Sequence, residues 1–231
     1  MRNGAGVREA NRFAFLGLML AVLTSTCALA GMSEHHSRTV VAPGRNVLPP
    51  QQSRYSLAYA AEVTAYFNNL GDRRTANEYP KNLPFQLLYV PPVNEKNNTG
   101  RKGTTFYVRP GTLLYVPVLY NTNAKPVLGN FPAAGDRAAL VNYFYSQKEL
   151  GLIYAKIVVD GKVTMLSSRY LVEVTFDPPG LADEATIYQT FAGFLTPLSK
   201  GTHTVEIRWR VSGEAVGEDL EVSTPYTVIV Q

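Results

Sequence analysis

Histidine is the side chain whose ordinary titration range best suits proton transfer near neutral pH, and this chain carries it only at positions 35, 36 and 203. His35 and His36 are adjacent, so their rings cannot easily converge on one ion together with a third ligand, and no metal site is expected from them. Strand alternation puts His203 in phase with Val205, Ile207, Trp209 and Val211, leaving Thr202, Thr204, Glu206, Arg208 and Arg210 on the opposite face. No residue stands at a spacing that would make His203 a general base, so its expected role is a hydrogen bond to a neighbouring loop. Asp177, Asp183 and Glu184 lie close together, and paired carboxylates can hydrolyse a glycosidic bond. Yet Asp177-Pro178-Pro179-Gly180 is turn chemistry. Gly-x-Ser-x-Gly, Gly-x-x-x-x-Gly-Lys and His-Glu-x-x-His do not occur, so no catalytic residue and no cofactor is assigned.

The residues better suited to binding are aromatic and amide side chains. Of the 14 tyrosines, Tyr143, Tyr145, Tyr154 and Tyr170 fall within a short span, and such rings stack on sugars or anchor protein partners. Tyr170 alternates with Val172, Val174 and Phe176, and Tyr143 belongs to an apolar helical face, so both are expected inside. Tyr145, Tyr154 and Arg169 remain as surface candidates. Asn121 and Asn123, in Tyr120-Asn121-Thr122-Asn123, would offer amides from a loop, although Asn is also an ordinary turn residue.

These side chains must be positioned mainly by strands. Short β-branched and aromatic runs punctuated by Pro, Gly, Asn and Asp cover 85–90, 104–108, 112–120, 154–159, 162–166, 169–176, 187–195, 202–211 and 224–230. Such spacing predicts a mainly β protein, an antiparallel β-sandwich of Ig-like or jelly-roll type. Asp160-Gly161 between two runs predicts a tight hairpin. Two covering helices are expected. In the first, Tyr59, Val63, Tyr66, Phe67 and Leu70 share a face, with Ser56 as its cap. The second carries Leu140, Tyr143, Phe144, Gln147 and Leu150, with Asp136 near its start and Gly151 past its end.

The N-terminal 30 residues read as a secretory signal peptide. Arg2, Arg8 and Arg12 precede an apolar run over 13–23, and Ala28-Leu29-Ala30 supplies the cleavage pattern. A secreted or periplasmic protein is therefore expected, with residues 31–53 a flexible leader and 54–231 a single domain. Cys27 is the only cysteine, so cleavage after Ala30 would leave a cysteine-free chain whose stability rests on core burial. Acylation at Cys27 is disfavoured by Thr24-Ser25-Thr26 ahead of it. Loss of the signal would lower the formal charge from +4 by removing Arg2, Arg8 and Arg12 together with Glu9. The remaining charges are scattered, as at Arg73-Arg74 and Arg101-Lys102, which argues against nucleic acid as a partner. No segment reaches the ~20 apolar residues of a transmembrane helix.

Four strand phrases follow one another along the chain: Val108-Arg109-Pro110-Gly111-Thr112, Val159-Asp160-Gly161-Lys162, Pro197-Leu198-Ser199-Lys200-Gly201-Thr202-His203-Thr204-Val205 and Tyr226-Thr227-Val228. Their order resembles a widespread family of uncharacterised secreted bacterial β-sandwich proteins. The resemblance implies the fold and carries no activity. In that family many members have a cysteine pair flanking the strand that precedes the Val-x-x-Gly segment, and also tryptophans on the first helix. Here Tyr66 and Phe67 stand in the aromatic positions, which implies docking through smaller rings and an unstapled loop over 91–103. The function expected is an exported, non-enzymatic binding or structural module whose partner is a glycan or a surface protein. A carboxylate-dependent hydrolase is the first alternative. Self-assembly through a free edge at 224–230 is the second.

Overall fold

Each strand forms where apolar and polar side chains alternate, because successive residues of an extended chain point to opposite sides. The pattern is clearest in Gly201–Val211, where Val205, Ile207, Trp209 and Val211 are buried and the residues between them are not. The computed structural model describes residues 46–69, 83–89, 104–176 and 185–231, and all of these belong to one compact unit spanning Pro43–Gln231.

Nine strands are present among the described residues: β1 (Gln86–Leu87), β2 (Thr104–Val108), β3 (Leu114–Thr122), β4 (Leu152–Val159), β5 (Lys162–Met165), β6 (Leu171–Thr175), β7 (Ile187–Leu195), β8 (Gly201–Val211) and β9 (Leu220–Val230). They make a four-stranded sheet in the order β1-β3-β7-β6 and a five-stranded sheet in the order β2-β9-β8-β4-β5. The sheets face one another at Gly193, where an added Cβ would lie 3.5 Å from Ile157 Cδ1 of the other sheet. This arrangement is consistent with a β-sandwich. Its orientation is mixed rather than wholly antiparallel, since β1 runs parallel to β3 and β2 runs parallel to β9. The second pairing places β9 between β2 and β8, so the strand expected to offer a free edge is paired on both sides.

Among the described residues, two α-helices accompany the sheets, α1 (Leu57–Asn69) and α2 (Arg137–Tyr145). Ser56 caps α1 by accepting the Tyr59 N–H at 3.1 Å, and Asp136 caps α2 by accepting the Ala139 N–H at 2.9 Å; each bond satisfies an otherwise free first-turn amide. Among the described side chains of α1, the buried ones are mostly small and do not include Tyr59 or Val63. Leu57, Ala60, Ala61, Thr64 and Ala65 are buried, whereas Tyr59 is 42% exposed and Val63 half-buried. Small side chains let the helix approach Tyr188, with which Ala61 and Ala65 share a cluster. The side chains of Tyr66, Phe67 and Leu70 lie outside the described residues. Helix α2 presents Leu140, Tyr143 and Phe144 to the core as expected, but ends before Gln147 and Leu150.

Two local placements depart from the sequence reading. Tyr170 is buried, as expected, but it belongs to the 3₁₀ turn Ser168–Tyr170 rather than to a strand. It therefore faces Gly193, while Val172, Val174 and Phe176 pack with the α1 alanines. At the N-terminal side, the stretch read as the end of a leader lies on the four-stranded sheet. Val47 is 2% exposed and bridges Leu195, the Leu48 N–H donates to the Phe194 carbonyl at 2.8 Å, and the Thr196 N–H donates to the Asn46 carbonyl at 3.0 Å. Strand β6 pairs with β7 only from Ile187 to Phe191, and residues 46–48 take the place beside β7 beyond it.

Candidate functional site

The outer face of the five-stranded sheet carries a connected group of charged and aromatic side chains. Register sets Tyr154 of β4 beside Arg210 of β8 and Lys156 beside Arg208, and sets Arg210 beside Glu221, Arg208 beside Ser223 and Glu206 beside Pro225 of β9. None of these residues is buried. Arg208 meets Glu206 through two N–O contacts of 2.8 Å, and Ser223 Oγ donates to the same carboxylate. Arg210 Nε donates to Asp219 Oδ1 at 2.8 Å. The Tyr154 hydroxyl donates to Glu221, and the Lys156 ammonium stands 4.3 Å from the centroid of the Tyr154 ring, within the range of a cation–π contact.

The electrostatics of this face follow from those pairings. Burial together with the Glu221 carboxylate, which accepts the phenolic hydrogen, pushes the Tyr154 hydroxyl up to about 12. Partial burial would raise Glu206, but the bonds from Arg208 and Ser223 outweigh it and hold the carboxyl below its usual range. The bond from Arg210 likewise lowers Asp219. Three cations thus share the face with three carboxylates, an arrangement that offers fixed donors and acceptors with little net charge.

The residues singled out from sequence are dispersed. Tyr154 lies on this face. Tyr145, 39% exposed, closes α2 and meets Phe191 edge-on with ring centroids 6.2 Å apart. Arg169 is exposed on the Ser168–Tyr170 turn, which Arg137 holds by donating to the Ser168 carbonyl and, at 2.7 Å, to the Leu171 carbonyl. Asn121 is not in a loop: it is 3% exposed in β3 and donates to the Tyr143 hydroxyl at 2.7 Å. Tyr143 in turn donates to the Leu128 carbonyl at 2.7 Å. Asn123 follows β3 and accepts the N–H groups of Thr186 and Ile187 at 2.9 and 3.0 Å, joining two segments of backbone. Both amides are engaged inside the protein. Their place in the chain resembles a turn because β3 ends there.

His203 forms the expected loop contact. Nδ1 lies 2.7 Å from Asp160 Oδ2 and Nε2 lies 2.9 Å from the Ser199 carbonyl oxygen. Asp160 Oδ1 also accepts the Thr204 N–H at 2.9 Å. The bond to Asp160 raises the histidine pKa against the effect of partial burial. Both ring nitrogens are occupied, so neither is free to take a proton from a substrate.

Among the described residues, no group of three or more His, Cys, Asp or Glu side chains could hold a metal ion, and no helix is long and apolar enough to cross a membrane. His35, His36, Cys27, Asp177, Asp183, Glu184 and the 91–103 loop lie outside the described residues. Sequence reasoning does not select Glu206, Arg208, Arg210, Ser223 or Glu221. The signal available is the alternation of Glu206, Arg208 and Arg210 on the polar side of a single strand. No known protein family, no curated protein and no solved structure matches this chain.

Proposed function

We propose that this protein is an exported, non-enzymatic binding module that recognises a polar, hydroxyl-rich ligand such as a glycan on the outer face of its five-stranded sheet. The observation that carries this reading is the half-buried network of Tyr154, Lys156, Glu206, Arg208 and Arg210 with the exposed Glu221, held in place by its own hydrogen bonds and ion pairs. Side chains already oriented in this way lose little freedom on binding, and a tyrosine beside paired donors and acceptors suits a sugar ring with its hydroxyls. Charge balance on the face makes nucleic acid a poor partner, since a phosphate backbone calls for unpaired cations.

Among the described residues, the carboxyls that are clearly shifted favour a non-catalytic role: Glu149, Asp160, Glu206 and Asp219 are moved below their ordinary values, whereas a glycosidase acid needs its pKa raised. The secreted β-sandwich family resembled by the strand phrases, the Ig-like form of the sandwich and secretion by the N-terminal signal belong to the same reading. The Ig-like form is favoured over a jelly roll by β2, an early strand running parallel to the last one, β9.

Self-assembly is a second reading, supported by the short edge strand β5, where Val163 and Met165 are 50% and 56% exposed. A glycan and polysaccharide screen with an assay for released sugar tests the first reading. Binding without release is expected, weakened about tenfold or more by Tyr154→Ala or Arg208→Ala, as for a residue at the centre of an interface. Tyr145→Ala, on α2, should leave affinity unchanged. Released sugar would replace the module with a hydrolase, and scattering that grows with concentration but no glycan binding would favour assembly.

A further inference from the structure

The two nitrogens of His203 each face an atom that only accepts hydrogen bonds, a carboxylate oxygen of Asp160 and the main-chain carbonyl of Ser199. A neutral imidazole has a single N–H, so both bonds exist together only in the imidazolium form. The ring thereby ties the β4–β5 turn, where Asp160 sits at φ 48°, to the 196–200 loop between β7 and β8.

The same two elements are joined a second time by the N-terminal strap. Asn46 accepts the Thr196 N–H at 3.0 Å and donates through its side chain to the Val159 carbonyl at 3.3 Å. Val47 and Leu48, next in the chain, pair with β7 at Leu195 and Phe194. A change in the spacing of turn and loop therefore reaches the strap through Thr196 and Val159.

We propose that the His203–Asp160 pair is a pH-sensitive latch that holds the 196–200 loop, and with it the strap at residues 46–48, against the β4–β5 turn. Asp160 is the charged group facing the ring from the turn. From the loop the ring meets the Ser199 carbonyl, and the loop's only charged residue, Lys200, is exposed. Strand β9 places Val228 opposite His203, and the strap contributes Asn46, so neither adds a titratable group. Loss of one proton removes one of the two bonds and leaves a ring lone pair facing an acceptor. The latch is closed while the ring is charged and opens as pH rises.

NMR on the purified protein tests this, with the His203 ring titration followed alongside amide exchange at Leu48, Thr196 and Trp209, corrected for intrinsic exchange. Protection at Leu48 and Thr196 should fall about tenfold as the ring loses its proton, the size expected of one charge-assisted hydrogen bond, while Trp209 stays protected. His203→Gln should abolish the step. Asp160→Asn keeps a residue tolerant of positive φ and an oxygen for the Thr204 N–H, and should move the step to lower pH together with the ring's titration. Protection that stays flat through the titration, or a step that survives His203→Gln, overturns the latch. Should His203→Gln fail to fold, Asp160→Asn decides alone: a step left at its original pH overturns the proposal.

Discussion

Val47 occupies the space that a side chain at position 193 would need, its Cγ1 lying 2.7 Å from where a Cβ on Gly193 would stand. The strap and the glycine are therefore matched across the sheet, and the fit depends on the absence of one methyl group.

Gly193→Ala should destabilise the protein by about 1–3 kcal/mol, the range for an extra carbon forced into a packed core. Val47→Ala in the same chain should recover part of that loss. Urea unfolding of both single variants and the double variant measures the coupling, and purely additive losses would show that the strap does not bear on Gly193.

Stability should depend on pH through His203 and Asp160 in opposite directions. The His203 pKa is raised above its ordinary 6.5 in the fold, so its contribution is complete below that value and lost as pH rises through the folded value. Asp160 is lowered from 3.8, since the His203 and Thr204 bonds outweigh the opposing effect of burial. Its contribution is present above 3.8 and lost as pH falls through the folded value. Denaturation midpoints should be highest between the two limbs, and His203→Gln should flatten the alkaline one.

The Tyr143 hydroxyl accepts from Asn121 and donates to Leu128 inside the protein. Tyr143→Phe removes both bonds and leaves the buried Asn121 amide and the half-buried Leu128 carbonyl without that partner. A loss of about 1–3 kcal/mol is expected from chemical denaturation. A loss well below that range would mean that water satisfies both groups.

Trp209 is 5% exposed and stands in register with Ala155 and Val222 on the neighbouring strands. Trp209→Ala should cost about 3–5 kcal/mol, as large buried aromatics do. Arg208→Ala, one position away on the opposite face, should change stability by less than about 1 kcal/mol, the usual scale of a partly exposed ion pair.

Local chemistry is legible in the order of the residues. Alternation over 201–211 specifies which side of β8 is buried, Asp160-Gly161 specifies the hairpin, and Ser56 and Asp136 specify where the helices begin, because each depends on neighbours within a few residues. The aromatic spacing of α1 is a weaker guide. Tyr59 belongs to an apolar stripe, but it is the alanines of the helix that are buried, with Ala61 and Ala65 packed beside the large rings of Phe176 and Tyr188.

Residue order alone specifies most of the strands, the phase of the clearest of them and the absence of a familiar catalytic motif. Which strands are neighbours is decided in three dimensions, since pairing depends on segments far apart in the chain. That pairing runs β2 parallel to β9, buries Asn121 against Tyr143, brings Val47 onto Gly193 and gathers Tyr154, Glu206, Arg208 and Glu221 from three strands onto one face. Alternation states that a side chain faces a given side of its own strand, and register with the adjoining strands determines the company it meets there.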